Sequence, residues 1–456
     1  MKMKMMKDTL GTIAVPANVF WGAQTQRSKQ NFTISDEKMP KQLIKSITYI
    51  KKACAIANAK AGKLDQRRKA AIVRVCDEIL GGGLSNNFPL SIWQTGSGTQ
   101  TNMNVNEVVA YRANYVACQE KFIHPNDHVN MSQSSNDVFP TAMHLLVATL
   151  TKEKLLPKLE ILIKELKQLV KKNWKIIKVG RTHLQDATPV RLGQEISAWV
   201  AMLENSREMI KDSCKYINQL CIGGTAVGTG LNTPKHFDKM VCAELSKMIG
   251  IKFSPLPNKF QGLSSKDSIS HYHAALKTLA ESLIKIANDV RFLASGPNCG
   301  IGEIIIPSNE PGSSIMPGKV NPTQCEAMMM LCIRVIGNDT CVTLGNAMGN
   351  YQLNTFMPMM IYSINQSINL LADGMDSFTR KCVIGIKPSL KKIEYNLYRD
   401  LMLVTALNVK IGYEKAADIS KLAQKESITL KEAAKKLGYL SEKEFDKIVI
   451  PSKMVG

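Results

Sequence analysis

Residues 267–294 read DSISHYHAALKTLAESLIKIANDVRFLA and carry one continuous apolar stripe. The apolar side chains recur at spacings of three and four, which is the period of one face of an α-helix. They are Ile269, Tyr272, Leu276, Leu279, Leu283, Ile286, Val290 and Leu293. A helix of this length extends about 40 Å at 1.5 Å per residue, which predicts a member of a long-helix bundle.

Three further segments have the same apolar period. Residues 194–221 and 354–380 predict two more long helices, and residues 141–173 predict another, with a kink at Pro157. Long helices with broad apolar faces indicate a mainly α protein built around a central bundle. Because an isolated chain would expose large apolar patches, the same faces predict burial against other subunits.

The pattern along the chain predicts three domains. Residues 1–133 form an N-terminal mixed, mostly helical domain, residues 134–390 form the central long-helix bundle, and residues 391–456 form a small helical C-terminal domain. Short helical segments return in the last domain. There, Gly438 is predicted to end one helix and Ser441 to cap the next.

Composition indicates a soluble globular protein, with 45% hydrophobic and 21% charged residues among 456. The basic N-terminus lacks a following apolar region, and no run of about 18 apolar residues occurs, so we expect neither a signal peptide nor a membrane span. The eleven cysteines are scattered without CxxC pairs. This spacing predicts reduced thiols in a cytoplasmic protein.

The net charge of +21, from 59 basic and 38 acidic residues, raises the alternative of a nucleic-acid-binding protein. The lysines are spread along the whole chain, however, and no basic arm or repeated aromatic–basic pattern occurs. We therefore interpret the excess as solvated surface charge that also attracts an anionic substrate.

The segment PGSSIMPGKVNP, residues 311–322, is too rich in glycine and proline for a helix and nearly imitates a nucleotide-binding P-loop. A P-loop requires four residues between its glycines and a hydroxyl residue after the lysine. Here five residues separate Gly312 from Gly318, and Val320 follows the lysine, so the P-loop reading fails. The segment GGTAVGTG, residues 223–230, is interpreted as a turning connection.

Several loops between the helices share one chemistry, because their side chains are hydroxyl, amide and ammonium donors. The donors are Ser97, Thr99, Asn102, Ser134, Ser135, Asn136, Thr182, Ser313, Ser314, Lys319 and Asn321. This set suits a small anion with several oxygens, such as a dicarboxylate. His183 could supply or accept a proton and Glu326 could orient it, although a structural role for His183 stays open.

Other histidines carry weaker signals. His124 and His128 lie four residues apart, but the intervening Pro125 and Asn126 favour a loop over a metal-binding helix. We therefore predict no metal site. His271 and His273 do not share a helix face and are interpreted as structural or exposed residues.

Taken together, the loops resemble those of the class II fumarate hydratases, in the fumarase/aspartase superfamily. The resemblance runs nearly end to end and rests most firmly on GSSIMPGKVN at 312–321, followed by PTQCEA. The other matching segments are VPANVFWGAQTQRSKQNF, TGSGTQTNMNVNE, HPND, SQSSNDVFPTAMH and GRTHLQDATPVRLGQE. Aspartases usually carry alanine where Gly318 stands, so the match favours fumarase.

The resemblance implies a homotetramer whose central helices form a shared bundle, with each active site assembled from three subunits. It implies reversible, stereospecific anti addition of water to fumarate, giving (S)-malate in the tricarboxylic acid cycle, through a carbanion-like intermediate. It also implies that neither a metal nor an organic cofactor takes part.

Individual roles follow from the same resemblance. Ser313 corresponds to the catalytic base, His183 to the acid/base residue that acts on the hydroxyl through a water, and Glu326 to its partner. The loop of Ser313 is expected to be mobile and to close over the substrate. The implied substrate-binding residues are Ser97, Gly98, Thr99, Ser134, Ser135, Asn136, Thr182, Ser314, Lys319, Val320 and Asn321.

A second, peripheral dicarboxylate site is implied at Lys121, His124, Pro125, Asn126 and Asp127. The family usually has arginine where Lys121 stands, so bidentate binding there is weakened. Aspartate ammonia-lyase on the same scaffold is the alternative enzyme. A non-catalytic scaffold protein and a nucleic-acid-binding protein are the alternatives from other classes.

Overall fold

The structure is a computed structural model that describes residues 2–456. Helices make up most of it. They are α1 (Ala23–Asn31), α2 (Lys41–Lys60), α3 (Gln66–Leu80), α4 (Thr99–Ala117), α5 (Ser135–Leu150), α6 (Leu156–Asn173), α7 (Leu192–Ile217), α8 (Phe237–Ile249), α9 (Lys259–Ser264), α10 (Asp267–Leu293), α11 (Thr323–Ala347), α12 (Met357–Lys381), α13 (Leu390–Arg399), α14 (Asn408–Ile411), α15 (Tyr413–Glu426), α16 (Leu430–Lys436) and α17 (Glu442–Ile448).

The strands form small two-stranded sheets. Three of these sheets are antiparallel: β1 (Met3–Asp8) with β2 (Gly11–Pro16), β3 (Ile177–Thr182) with β4 (Gln185–Arg191), and β7 (Ile304–Ile305) with β8 (Lys387–Pro388). The short strands β5 (Gln219–Leu220) and β6 (Ser254–Pro255) pair in parallel. The mainly α prediction is therefore confirmed.

The helix that the apolar stripe predicts is α10, and its bounds agree with the sequence pattern to within one residue. All eight stripe residues are buried, from 0 to 4% exposed. The two other predicted long helices are also present as α7 and α12. The spacing of three and four residues was sufficient to predict these helices because each of them has one broad buried face.

The segment 141–173 is helical, with one irregular turn directly before Pro157. One turn of π-helix, Thr151–Leu155, joins α5 to α6, and the residues at both of its ends keep helical backbone angles. Pro157 has no N–H to donate, and its ring would clash with the carbonyl four residues earlier, which lies in this π-turn, so the distortion lies where the proline predicts it.

The chain divides into two compact units. The first contains Met1–Pro157, Ser206–Ala280 and Cys332–Ala372. Within it, α2 packs against α3, α5 and α8. The second unit contains Lys158–Asn205, Glu281–Leu331 and Asp373–Gly456. The division into three domains stays a prediction.

The C-terminal helices of the second unit share an apolar core of α15, α16 and α17 side chains. Ser441 caps α17 as predicted, in a reciprocal capping box with Glu444. Leu437 ends α16, and Gly438 follows it with φ of +68°, the left-handed conformation that glycine adopts most easily.

None of the eleven cysteines forms a disulfide in the structure. His273 is fully buried, and its ring nitrogens lie 2.9 Å from Asp339 Oδ1 and 2.9 Å from Ser367 Oγ. His273 is therefore structural. Helix α11 is long and apolar enough to cross a membrane by length and composition, a test that core helices of soluble proteins also pass.

Candidate active site

The N-terminus of α4 presents the first group of predicted binding residues. Gly98 precedes the helix with φ of +72°, and a Cβ there would lie 2.1 Å from the Phe139 ring, so the position requires glycine. The Ser97 and Thr99 hydroxyls are hydrogen-bonded to each other at 2.8 Å. A helix N-terminus with hydroxyl donors favours an anion.

The N-terminus of α5 presents a second group. Ser134 caps this helix, because its Oγ accepts from the Asn136 amide at 3.2 Å and its own amide donates to Asp137 Oδ1 at 2.9 Å. Asn136 donates its side-chain amide to the Ala226 carbonyl at 2.8 Å. The capping geometry fixes the direction of the helix and of the side chains at its first turn.

Asn102 connects the two groups. Its side-chain amide donates to Ser135 Oγ at 2.9 Å, and both residues are buried. Since Ser135 Oγ accepts this bond, its own hydrogen remains available to a carboxylate oxygen. The structure therefore brings the predicted binding residues of α4 and α5 into one cluster with two helix N-termini.

Asp137 was missed by the sequence reasoning. Its Oδ2 accepts from the amides of Gly223 and Thr225, each at 2.9 Å, which fastens the 223–230 segment to α5. That segment is a tight turning connection, as predicted. Burial raises the pKa of the Asp137 carboxyl despite these N–H donors. The S-x-x-D pattern at 134–137 is a capping-box signal that could have identified it.

Two hydrogen bonds within the loop 311–322, in the second unit, hold the two ends of the loop together. The Gly312 amide donates to the Lys319 carbonyl at 3.0 Å, and the Asn321 side-chain amide donates to the Gly312 carbonyl at 2.6 Å. A Cβ on Gly312 would lie 2.4 Å from the Lys319 oxygen, so this crossing requires glycine. Gly318 turns the loop with φ of +81°.

Ser313 lies inside this loop with two backbone donors directed at its hydroxyl. Its Oγ accepts from the Met316 amide at 3.0 Å and from the Ile315 amide at 3.3 Å. Ser313 and Lys319 line the same exposed cleft. Backbone N–H groups directed at one oxygen stabilise its deprotonated form, and Lys319 adds a positive charge to the same cleft. Ser314 and Val320 are exposed on the same loop.

His183 lies at the tip of the β3–β4 hairpin. His183 and Leu184 form its two-residue turn with φ of +56° and +62°, a conformation that strongly favours Asn and Gly. A histidine and a leucine held there are strained, which is a mark of functional sites. Thr182 is the last residue of β3, and both it and His183 are exposed.

A buried ion pair anchors this hairpin. Arg181 donates two hydrogen bonds to Glu303, at 2.8 and 2.9 Å, and Lys178 Nζ lies 3.1 Å from the same carboxylate. Although burial of Glu303 favours its neutral form, the bonds from Arg181 and the Lys178 charge lower the pKa of the carboxyl. These residues were also missed by the sequence reasoning.

Glu326 lies in the first turn of α11, exposed to solvent. Within residues 2–456 it shares no hydrogen bond or ion pair with His183, although both belong to the second unit. The predicted pairing of these two residues therefore stays a prediction.

The residues of the predicted peripheral site are close together. Pro125–Val129 form one π-helical turn that contains Asn126, and His124 Nδ1 accepts from the Asp127 amide at 3.2 Å. Lys121 precedes the turn with φ of +62°. Burial and the nearby Arg68 lower the pKa of His128.

Comparisons of this chain with protein families and with individual proteins agree with each other. The chain matches the family described as Lyase over residues 11–337 and the family described as Fumarase C C-terminus over residues 403–456. A class II fumarate hydratase of Helicobacter pylori and one of Bacillus subtilis are each 54% identical to it, over 100% of this chain and 99% of theirs.

Two solved structures are similar in fold. The class II fumarase of Schistosoma mansoni has a TM-score of 0.97 and 41% identity, and the match covers 99% of each chain. A fumarate lyase:delta crystallin of Brucella melitensis, in a structure with cobalt bound, has a TM-score of 0.95 and 36% identity over 100% of both chains.

Proposed function

This chain belongs to the class II fumarate hydratases, and we propose that it catalyses the reversible anti addition of water to fumarate, giving (S)-malate. The observation that carries the proposal is the geometry of Ser313, whose Oγ receives two backbone N–H groups in the loop that also carries Lys319. An alkoxide at this oxygen is the base that the reaction needs.

The substrate carboxylates require donors. Ser97 and Thr99 at α4, and Ser134, Ser135 and Asn136 at α5, supply hydroxyls and an amide beside two helix N-termini. Removal of a carbon-bound proton moves negative charge onto the adjacent carboxylate. Donors directed at that carboxylate therefore stabilise the transition state more than the ground state.

Ser313 takes the proton from the methylene carbon of malate. A free serine hydroxyl is too weak a base for this step, so the amides of Ile315 and Met316 and the charge of Lys319 must favour the alkoxide. The carbanion-like intermediate then expels hydroxide from the other carbon. His183, paired with Glu326, protonates that leaving hydroxyl through a water.

A homotetramer with active sites shared by three subunits would complete the site. The support comes from α11, where only 33% of the most apolar 18-residue window is buried within the chain. Its exposed face repeats at helical spacing, with Met330 and Ile333 more than 60% exposed. The stripe consists of Ala327, Met330, Ile333, Gly337, Cys341, Leu344 and Met348. A stripe of this kind is typical of a helix buried between subunits.

A cytoplasmic location is supported by eleven cysteines that form no disulfide, since thiols stay reduced in that compartment. The net charge of +21 would raise the local concentration of a dianionic substrate at low salt.

Ultraviolet absorbance of the purified protein, mixed with malate and separately with aspartate, tests the proposal. We expect fumarate absorbance to rise with malate alone. A rise with aspartate alone would make the protein an aspartate ammonia-lyase. No rise with either, from a folded protein, would support the non-catalytic scaffold alternative.

A further inference from the structure

Lys51 is a buried cation for which the mechanism above has no role. It lies in the middle of α2 and is 0% exposed, which is rare for a lysine without a carboxylate in contact. Its Nζ donates to Asn130 Oδ1 at 2.9 Å and to Gln133 Oε1 at 2.8 Å. Both acceptors lie in the segment that leads directly into Ser134.

Asn130 is the centre of the polar network around this ammonium. Its Oδ1 accepts not only from Lys51 but also from the side-chain amides of Asn102 and Asn106, each at 3.2 Å. Its own amide donates to the Gln133 carbonyl at 3.2 Å. The segment 130–133 is therefore folded around the lysine side chain.

The network extends to the substrate-binding cluster. A lysine ammonium can only donate, so it fixes the oxygen ends of Asn130 and Gln133 toward the core. Asn102, which donates to the same Asn130 oxygen, also donates to Ser135 Oγ at 2.9 Å. Asn102 thus links the oxygen that Lys51 contacts to Ser135, and the Ser135 hydrogen is left for an anion.

We propose that Lys51 is a positioning residue for the dicarboxylate site, which holds the Asn130–Ser135 segment and places a buried positive charge beneath it. This role rests on the proposed function, because it assumes that a dicarboxylate binds at Ser134 and Ser135. The lysine acts through Asn130, Gln133 and Asn102.

The protonation state of Lys51 changes within a pH range in which the protein can be assayed. Burial lowers the pKa of its ammonium to about 8, against the smaller opposing effects of Cys54, Asp137 and Cys76. The titratable groups in this part of the core are Asp137 of α5 and the thiols of Cys54, Cys76 and Cys242 on α2, α3 and α8. Helix α4 contributes the uncharged amides of Asn102 and Asn106. Burial raises the pKa of all three thiols, so they are neutral near pH 8.

A bound dianion favours protonated Lys51, so binding above pH 8 must be accompanied by proton uptake. Succinate is a suitable probe, because it is a dicarboxylate with no double bond to hydrate. Its competitive inhibition constant against fumarate reports only the site of turnover. For the native protein we expect this constant to rise above pH 8 by up to about tenfold per pH unit.

Lys51→Met is the test variant, and Lys52→Met is its matched control. Lys52 is the next residue, but its side chain is partly exposed and paired with Asp77 at 2.5 Å. At pH 7 we expect Lys51→Met to weaken succinate binding by about tenfold or more, because it removes a buried unit charge that is linked to the ligand through Asn130, Asn102 and Ser135. The pH dependence should also disappear, while Lys52→Met behaves like the native protein.

Unchanged succinate inhibition in Lys51→Met, or an unchanged rise above pH 8, would overturn the proposal. If that variant does not fold, Lys51→Gln takes its place, because it keeps a side-chain N–H donor and removes the charge. Succinate affinity measured by calorimetry then decides: weaker binding supports the role of Lys51, and native affinity overturns it. Absence of fumarate turnover in native protein would instead refute the proposed function, while the calorimetric affinities would still apply to Lys51.

Discussion

Replacing Ser313 with alanine removes one partly exposed hydroxyl and should separate activity from stability. The lost interactions are two hydrogen bonds from loop amides, at 3.0 and 3.3 Å, in a segment open to solvent. Water can replace such bonds, so we expect the free energy of unfolding to fall by less than about 1 kcal/mol. The oligomeric state should not change.

Turnover should respond very differently. Without Ser313 no alkoxide remains to receive the carbon-bound proton, and we expect kcat to fall by at least about a hundredfold, or about 2.7 kcal/mol. The assay is the initial rate of fumarate formation from malate, with thermal unfolding and size-exclusion chromatography on the same samples.

Ser308→Ala is the matched control for this variant. Ser308 is an exposed serine that lines the same cleft and has no assigned role. It should retain native turnover. The reasoning is refuted if Ser313→Ala keeps turnover within about threefold of native protein, or if both variants lose activity equally.

Three further predictions concern groups on or near the β3–β4 hairpin. His183→Asn should lower turnover by at least about a hundredfold with the oligomer intact, since it removes an acid/base group, and a variant with near-native rates in the same assay would contradict its role. Glu303→Gln should lower the free energy of unfolding by about 3 kcal/mol, because Arg181 and Lys178 lose a buried counter-charge. An unchanged midpoint in denaturant unfolding would contradict this. Burial raises the pKa of Asp400 to about 6. The folded state therefore binds more protons than the unfolded state between about pH 4 and 6, and the free energy of unfolding should fall as pH rises through that range. Asp400→Asn should flatten this part of the stability profile, and an unchanged slope would show that another group is responsible.

The long helices could be predicted from the sequence because their burial is one-sided and periodic. The α10 stripe from Ile269 to Leu293 is an example, since its spacing alone gave the bounds and the buried face. Pro157 predicted the place of the irregular turn in the segment 141–173, because a proline disturbs the turn that precedes it. The form of the distortion, one turn of π-helix, could not be predicted, since a π-turn has no residue signature of its own.

The loops of the site could be identified from their composition, but the groups that hold them could not. In the sequence, Asp137, Glu303 and Lys51 cannot be told from ordinary charged surface residues. The periodicity of a helix identifies its apolar face, but it does not identify buried charges. A signal did exist for Lys51. It lies four residues after Ile47 and three before Cys54, on the buried face of α2, whereas Lys52 does not. A charged residue in register with an apolar stripe is worth testing as a buried functional group.

The pairing of His183 with Glu326 stays a prediction. Glu326 is exposed in the first turn of α11 and, among residues 2–456, shares no hydrogen bond or ion pair with His183. If the pair forms between subunits, its geometry depends on how the α11 stripes associate, and that information is not contained in local sequence patterns.

Proton NMR of the product formed from fumarate in D₂O tests the central claim most directly. Anti addition by one positioned base predicts (S)-malate with a single deuterium at the methylene carbon, in one diastereomer only. Native protein that gave both diastereomers, or no malate at all, would contradict the assignment of one fixed base at Ser313 to the hydration of fumarate.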